Sequence, residues 1–184
     1  MLQPGQAGGV SLGGTKTTYN DDLYMGWVGT GSQLDGLGHI GINNVYYNCN
    51  KNSEFVQAKR QGIQIKKGDV VLFHTGWQAL EGKDNKRFLA GEPGLGKDSA
   101  LYLASTDVVA VGSDTWALEV IPFEKDVGVF EVHQILLARN GIYILENMNT
   151  GPLVADKAYE FMFVLGASRM TGGMQVIVNP VAIR

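Results

Sequence analysis

The apolar residues of this chain come in short runs bounded by glycine and polar side chains, and that punctuation limits the fold more than any other feature. Residues 69–74 (Asp-Val-Val-Leu-Phe-His), 107–112 and 142–146 have the length and β-branched or aromatic character of buried strands. Residues 159–165 and 174–178 are two further strand candidates, with Met170-Thr171-Gly172-Gly173 as the bend between them. Helical patterns are short: 53–61 behind Ser53 as N-cap, 97–105, and 130–139 stopped by Asn140-Gly141. The charged, glycine-rich stretch 81–96 reads as a loop. A strand-rich list with a few short helices predicts an α/β sandwich of sheets with the helices packed outside.

At 184 residues, 45% of them hydrophobic, the chain suits one domain over 21–184. Residues 1–20, with Gly5, Gly8, Gly9, Gly13 and Gly14 among small polar residues, read as a flexible arm or one exchanged with a neighbouring subunit. A net charge of -3 with scattered Lys and Arg argues against nucleic acid and against an anionic membrane surface as partners. The single cysteine, Cys49, excludes an internal disulfide and a multi-thiolate zinc site. Neither an export signal nor a membrane-length apolar run is visible, so the expected location is cytoplasmic. Cys49 is also a poor nucleophile candidate, because Tyr47-Asn48-Cys49-Asn50 brings no adjacent base to lower the thiol pKa.

Chemistry-bearing residues concentrate in Gly31-Ser32-Gln33-Leu34-Asp35-Gly36-Leu37-Gly38-His39. Its glycines make a poor helix and a poor strand interior, so Gln33, Asp35 and His39 are expected on a loop, either a functional one or an ordinary surface turn. Tyr46 and Tyr47 follow among asparagines and offer either an aromatic ligand wall or a polar surface loop. Two predicted strands close in similar clusters, His74-Thr75-Gly76-Trp77 and Ser113-Asp114-Thr115-Trp116, which suggests one shared pocket rim. His74 alone reads better as a satisfied edge histidine. Gly94-Leu95-Gly96-Lys97 lacks the spacing of a phosphate loop.

His133 and Glu146 extend the set. From His133 the helix climbs roughly 10 Å at 1.5 Å per residue, and the strand ending at Glu146 runs back about 13 to 16 Å at 3.3 Å per residue. If the two are antiparallel, imidazole and carboxylate return to one level. Packed or surface roles for both remain open on this geometry.

The stretch 31–39, Val132-His133-Gln134-Ile135-Leu136-Leu137 and Gly141-Ile142-Tyr143-Ile144-Leu145-Glu146-Asn147 resemble the putative cyclase family, which includes bacterial kynurenine formamidases and isatin hydrolases. The resemblance runs from about Tyr19 to Arg184 and takes in Phe73-His74-Thr75-Gly76-Trp77, Gly112-Ser113-Asp114-Thr115 and Asn179-Pro180-Val181-Ala182-Ile183-Arg184. It implies a cyclase-like sandwich. The family signature, His-x-Gly-Thr-His-x-Asp-x-Pro-x-His, places its two ligand histidines at Gly29 and Gln33, its ligand aspartate at Asp35, its proline at Leu37 and its proton-transfer histidine at His39. This chain is therefore similar to a subgroup with Gln before Leu or Trp and Asp, lacking both imidazoles of one metal position. The ligands of a second metal position look like Asp35, His133 and Glu146.

The resemblance implies hydrolysis of a small amide, lactam or lactone, with His39 as general base and then general acid. Asp35, His133 and Glu146, with an amide oxygen from Gln33, make an oxygen-rich set that suits Mn²⁺ or Mg²⁺ at least as well as Zn²⁺. Trp77, Trp116, Tyr46 and Tyr47 are expected to wall the small-molecule substrate. Two other readings stand beside it: a metal-free hydrolase in which His39 and Glu146 share the proton work and Asp35 orients the imidazole, and an inactive small-molecule binding protein. A homodimer or higher homo-oligomer is the assembly that the resemblance implies.

Overall fold

The structure, a computed structural model, describes residues 31–35, 39–40, 63–167, 169, 171 and 173–184. The arm 1–20, Tyr46, Tyr47, Cys49 and the helix expected at 53–61 lie outside the described residues. A five-stranded mixed sheet runs in the order β2-β3-β4-β1-β6. Its strands are β1 (Gln33–Asp35), β2 (Val70–Phe73), β3 (Ala110–Ser113), β4 (Tyr143–Glu146) and β6 (Gln175–Ile177). β2, β3 and β4 are parallel neighbours, whereas β1 lies antiparallel between β4 and β6. A separate two-stranded sheet pairs β5 (Met162–Val164) with β7 (Val181–Ile183).

Alternation along the strands builds two apolar layers. On one face Val71, Phe73, Val111 and Ile144 meet α2 (Lys97–Ser105) through Ala100 and Leu103. They also meet α3 (Glu131–His133), which continues as a π-helix over Gln134–Arg139 and packs through Val132, Ile135, Leu136 and Leu137. On the other face Leu34, Val70, Leu72, Ala110 and Leu145 pack with Met148, Val176 and Val178, and Phe163 and Leu165 bring the β5–β7 sheet over them. The molecule is thus a sheet-on-sheet sandwich with short helices on its outer side, as the run pattern predicts.

Two expectations are corrected. Residues 33–35 form a buried central strand and not a loop, because Gln33, Leu34 and Asp35 complete backbone pairing with both β4 and β6. Within 81–96 a short helix, α1 (Asn85–Ala90), forms where Asp84 accepts the backbone N–H of Arg87 at 3.1 Å and Phe88 is buried. A last helix, α4 (Gly151–Ala155), begins with proline in its first turn. Among the described residues no helix is long and apolar enough to cross a membrane.

Candidate functional site

The strand register assembles the site. Gln33 stands opposite Glu146, and Asp35 opposite Ile144 on one side and Gln175 on the other. Because side chains alternate, Gln33 and Asp35 share the face of Ile144 and Glu146, under α3. His133, at the junction of the α- and π-helical turns, reaches that face from above. Its Nε2 lies 3.2 Å from Glu146 Oε1 and 3.9 Å from Asp35 Oδ2. The antiparallel return expected for the helix and β4 brings the two groups together.

Three carboxylates and two amides fix this imidazole and each other. Glu119 Oε1 accepts both the His133 backbone N–H, at 3.3 Å, and the ring Nδ1–H, at 2.5 Å. Nε2 is left as the atom that faces the cluster. Gln33 Nε2 donates to Glu146 Oε2 at 2.7 Å and to Asp35 Oδ1 at 3.1 Å, so the amide nitrogen, not the oxygen, is turned to the carboxylates. Gln175 Nε2 donates to Asp35 Oδ1 at 2.8 Å. Asp35 Oδ2 is buried with no hydrogen-bond partner among the described residues. Such an orphaned oxygen is rare and costly unless something else meets it.

His39, half-buried, places Nε2 3.7 Å from Asp35 Oδ2. Burial pushes its pKa below the ordinary histidine value, with the Asp35 charge opposing and the His133 charge adding to the effect. His133 behaves oppositely. Burial resists its charge, but hydrogen bonds and charges of Glu119 and Glu146 more than offset this and raise it to about 9. Glu146 is raised to about 7 by burial, against the hydrogen bond from His133.

Asp35, His133 and Glu146 each offer one ligand atom, and the three atoms lie within 4.8 Å of one another. One imidazole nitrogen and two carboxylate oxygens, one of them orphaned, fit a divalent cation. The bond from His133 Nδ1 to Glu119 is of the kind that orients an imidazole so that its other nitrogen could hold a metal. Glu119 and Gln175 have no distinctive sequence signal. Glu119 sits in Leu118-Glu119-Val120 and Gln175 in a plain strand pattern, and neither belongs to a motif.

The two strand-end clusters are joined, as their likeness suggests. Asp114 accepts from Thr75 N, Thr75 Oγ1 and Gly76 N, each at 2.7 Å. Trp77 and Trp116 both donate their indole N–H to the Phe88 carbonyl, at 3.3 and 2.9 Å. Buried Glu92 accepts the backbone N–H groups of Trp116 and Ala117 at 2.7 and 2.9 Å. His74 is exposed, and its Nδ1 is 2.8 Å from Thr150 Oγ1, the satisfied arrangement that its position predicts.

The family model described as Putative cyclase matches residues 49–120, a stretch that contains His74, Trp77, Asp114 and Trp116 and ends before His133 and Glu146. No curated protein matches the sequence. Among solved structures the chain is similar to a novel cyclase at 19% identity and a TM-score of 0.77, covering 93% of this chain and 75% of that one. It is similar to isatin hydrolase A from Ralstonia solanacearum at 18% identity and a TM-score of 0.67, covering 85% and 73%. A potential metal-dependent hydrolase with cyclase activity aligns at 19% identity and a TM-score of 0.56, covering 84% and 77%. Family match and fold together bear out the cyclase resemblance read from the sequence.

Proposed function

We propose that this chain, with its cyclase fold and cyclase-matched central segment, is a hydrolase of a small amide, lactam or lactone. Asp35, His133 and Glu146 hold one divalent cation and His39 moves the proton. The observation that supports this most directly is the buried convergence of three ligand atoms around an orphaned carboxylate oxygen, with a half-buried imidazole beside it. When bound, the cation supplies polarisation of the scissile carbonyl and acidification of a water. The donor set, with two carboxylates to one imidazole, suits Mn²⁺ or Mg²⁺ at least as well as Zn²⁺.

The residues of the chain carry the remaining steps. His39, held below its usual pKa, is neutral at pH 7 and able to accept a proton from water. Hydroxyl adds to the carbonyl carbon, the C–N or C–O bond breaks, and the proton taken by His39 goes to the leaving nitrogen or oxygen. Glu119 and Gln33 hold the ligand side chains in register throughout. Trp77 and Trp116, fixed to one carbonyl, form an aromatic wall for the substrate.

A second reading, metal-free hydrolysis, is favoured by one observation. Gln33 bridges Asp35 and Glu146 while His133 bridges Glu119 and Glu146, so the cluster is satisfied internally apart from one oxygen. Glu146, raised to about 7 by burial, would then share proton transfer with His39. Elemental analysis of the purified chain, with assays on an aryl formamide, isatin and a lactone before and after chelation, separates the readings. Stoichiometric metal whose removal abolishes turnover supports the first, and undiminished turnover of metal-free protein supports the second. Thermal stabilisation by these compounds without any product points to a binding protein instead, the reading motivated by Gly29 and Gln33 in place of two ligand histidines. His39→Ala is expected to lower kcat by about 100-fold or more with the fold intact.

A further inference from the structure

One side chain beside His39 has no part in the steps above. Gln175 stands directly opposite Asp35 in the pairing of β1 with β6. Its Nε2 donates to Asp35 Oδ1 at 2.8 Å and lies 3.2 Å from His39 Nε2. An amide nitrogen carries two hydrogens and accepts nothing. The Asp35 carboxylate fixes which end of the amide faces inward, since the flipped amide would set its carbonyl oxygen against a carboxylate oxygen. The second N–H is therefore directed at His39 Nε2, and that contact requires a lone pair on the ring nitrogen. In a neutral imidazole the proton then sits on Nδ1.

We propose that Gln175 is a positioning residue that fixes His39 as its Nδ1–H tautomer and presents Nε2 as the basic atom. This rests on the reading of His39 as the proton carrier. The geometry gives Nε2 one partner for each state of the cycle. The Gln175 N–H complements the lone pair before the proton is taken. Asp35 Oδ2, 3.7 Å from the same nitrogen, sets negative charge beside the N–H afterwards, and a carboxylate oxygen has lone pairs enough to do so while it ligates a cation. Exchange between the two needs only a small tilt of the ring.

The chain has three histidines, so ¹⁵N imidazole spectra of the full-length protein report His39 beside His74 and His133. At a pH where the ring is neutral, the wild type is expected to show His39 mainly as Nδ1–H, although free imidazole side chains favour Nε2–H. Gln175→Leu returns His39 to mainly Nε2–H. Gln175→Met does the same, because a thioether has no hydrogen to donate, and it serves as the test should the leucine variant fail to fold. Unmoved His74 and His133 signals report an intact site and fold. Against an aryl formamide, Gln175→Leu is expected to lower kcat roughly tenfold with KM within about twofold, the pattern of a lost orienting contact. A wild-type His39 found as Nε2–H, or a tautomer unchanged in both variants, overturns the proposal. A Gln175-dependent tautomer in a protein whose wild type shows no hydrolytic turnover would sink the hydrolase reading and leave the positioning role standing.

Discussion

His133 is the residue whose environment sets a measurable pH dependence. Its pKa is raised in the fold to about 9, so its contribution to stability is complete below the ordinary value of 6.5 and is lost as pH rises to about 9. Glu146, raised to about 7 by burial, acts in the same direction lower down, its contribution complete below 4.5 and gone by about 7. Metal-free protein should therefore show a urea midpoint that falls steadily between pH 5 and 9. A flat profile across that window would remove the imidazolium from the cluster. The same proton opposes a cation, which needs the Nε2 lone pair. Apparent Mn²⁺ affinity, measured calorimetrically, should rise by up to about tenfold per pH unit between 6.5 and 9 as that proton is displaced.

At the scale of elements, β2, β3 and β4 were legible because both faces of these strands are packed and their sequences are continuous apolar runs. β1 was not. Its inward side chains are Gln33 and Asp35, so the alternation reads as though Leu34 alone were buried and the polar pair faced solvent. The strand's polarity is inverted by the site it carries. α1 was missed because its window is charged and glycine-rich, with Phe88 alone buried against the core. Gly112 in β3 illustrates how closely the parallel strands approach. A Cβ there would lie 2.8 Å from Leu145 Cβ and 2.9 Å from Leu72 Cδ2, with backbone oxygen of Leu145 at 3.0 Å. Overpacking of this kind costs about 1 to 3 kcal/mol, so Gly112→Ala should lower the denaturation midpoint accordingly while leaving the Asp35–His133–Glu146 cluster chemically intact. An unchanged midpoint would mean that β2 and β4 part more easily than their packing implies.

For the whole molecule, the candidate site draws on segments that meet only when the sheet is complete: residues 33–35, His39, Glu119, the 133–146 hairpin of helix and strand, and Gln175. A cation bound there recognises the native state and not the unfolded chain, so its binding free energy adds to global stability. At a concentration about 100 times its dissociation constant this amounts to about 2.7 kcal/mol, or a Tm increase on the order of 5 to 10 °C for a domain of this size. The cost of holding the site ready is visible in the same residues. Asp35 raises the pKa of Glu146, and its own Oδ2 is buried without a partner among the described residues. Asp35→Asn keeps Oδ1 for the amides of Gln33 and Gln175 and replaces the orphaned charged oxygen by a neutral NH₂. The variant should be as stable as the wild type or more so without metal, and should lose most of the Tm increase on adding Mn²⁺. A site built for binding shows that opposition between intrinsic stability and ligand-linked stability, because charge that is unfavourable alone is retained for its partner. If Asp35→Asn destabilises the metal-free chain and keeps the full response to Mn²⁺, the carboxylate is a structural group and the cation, if one binds, is held elsewhere.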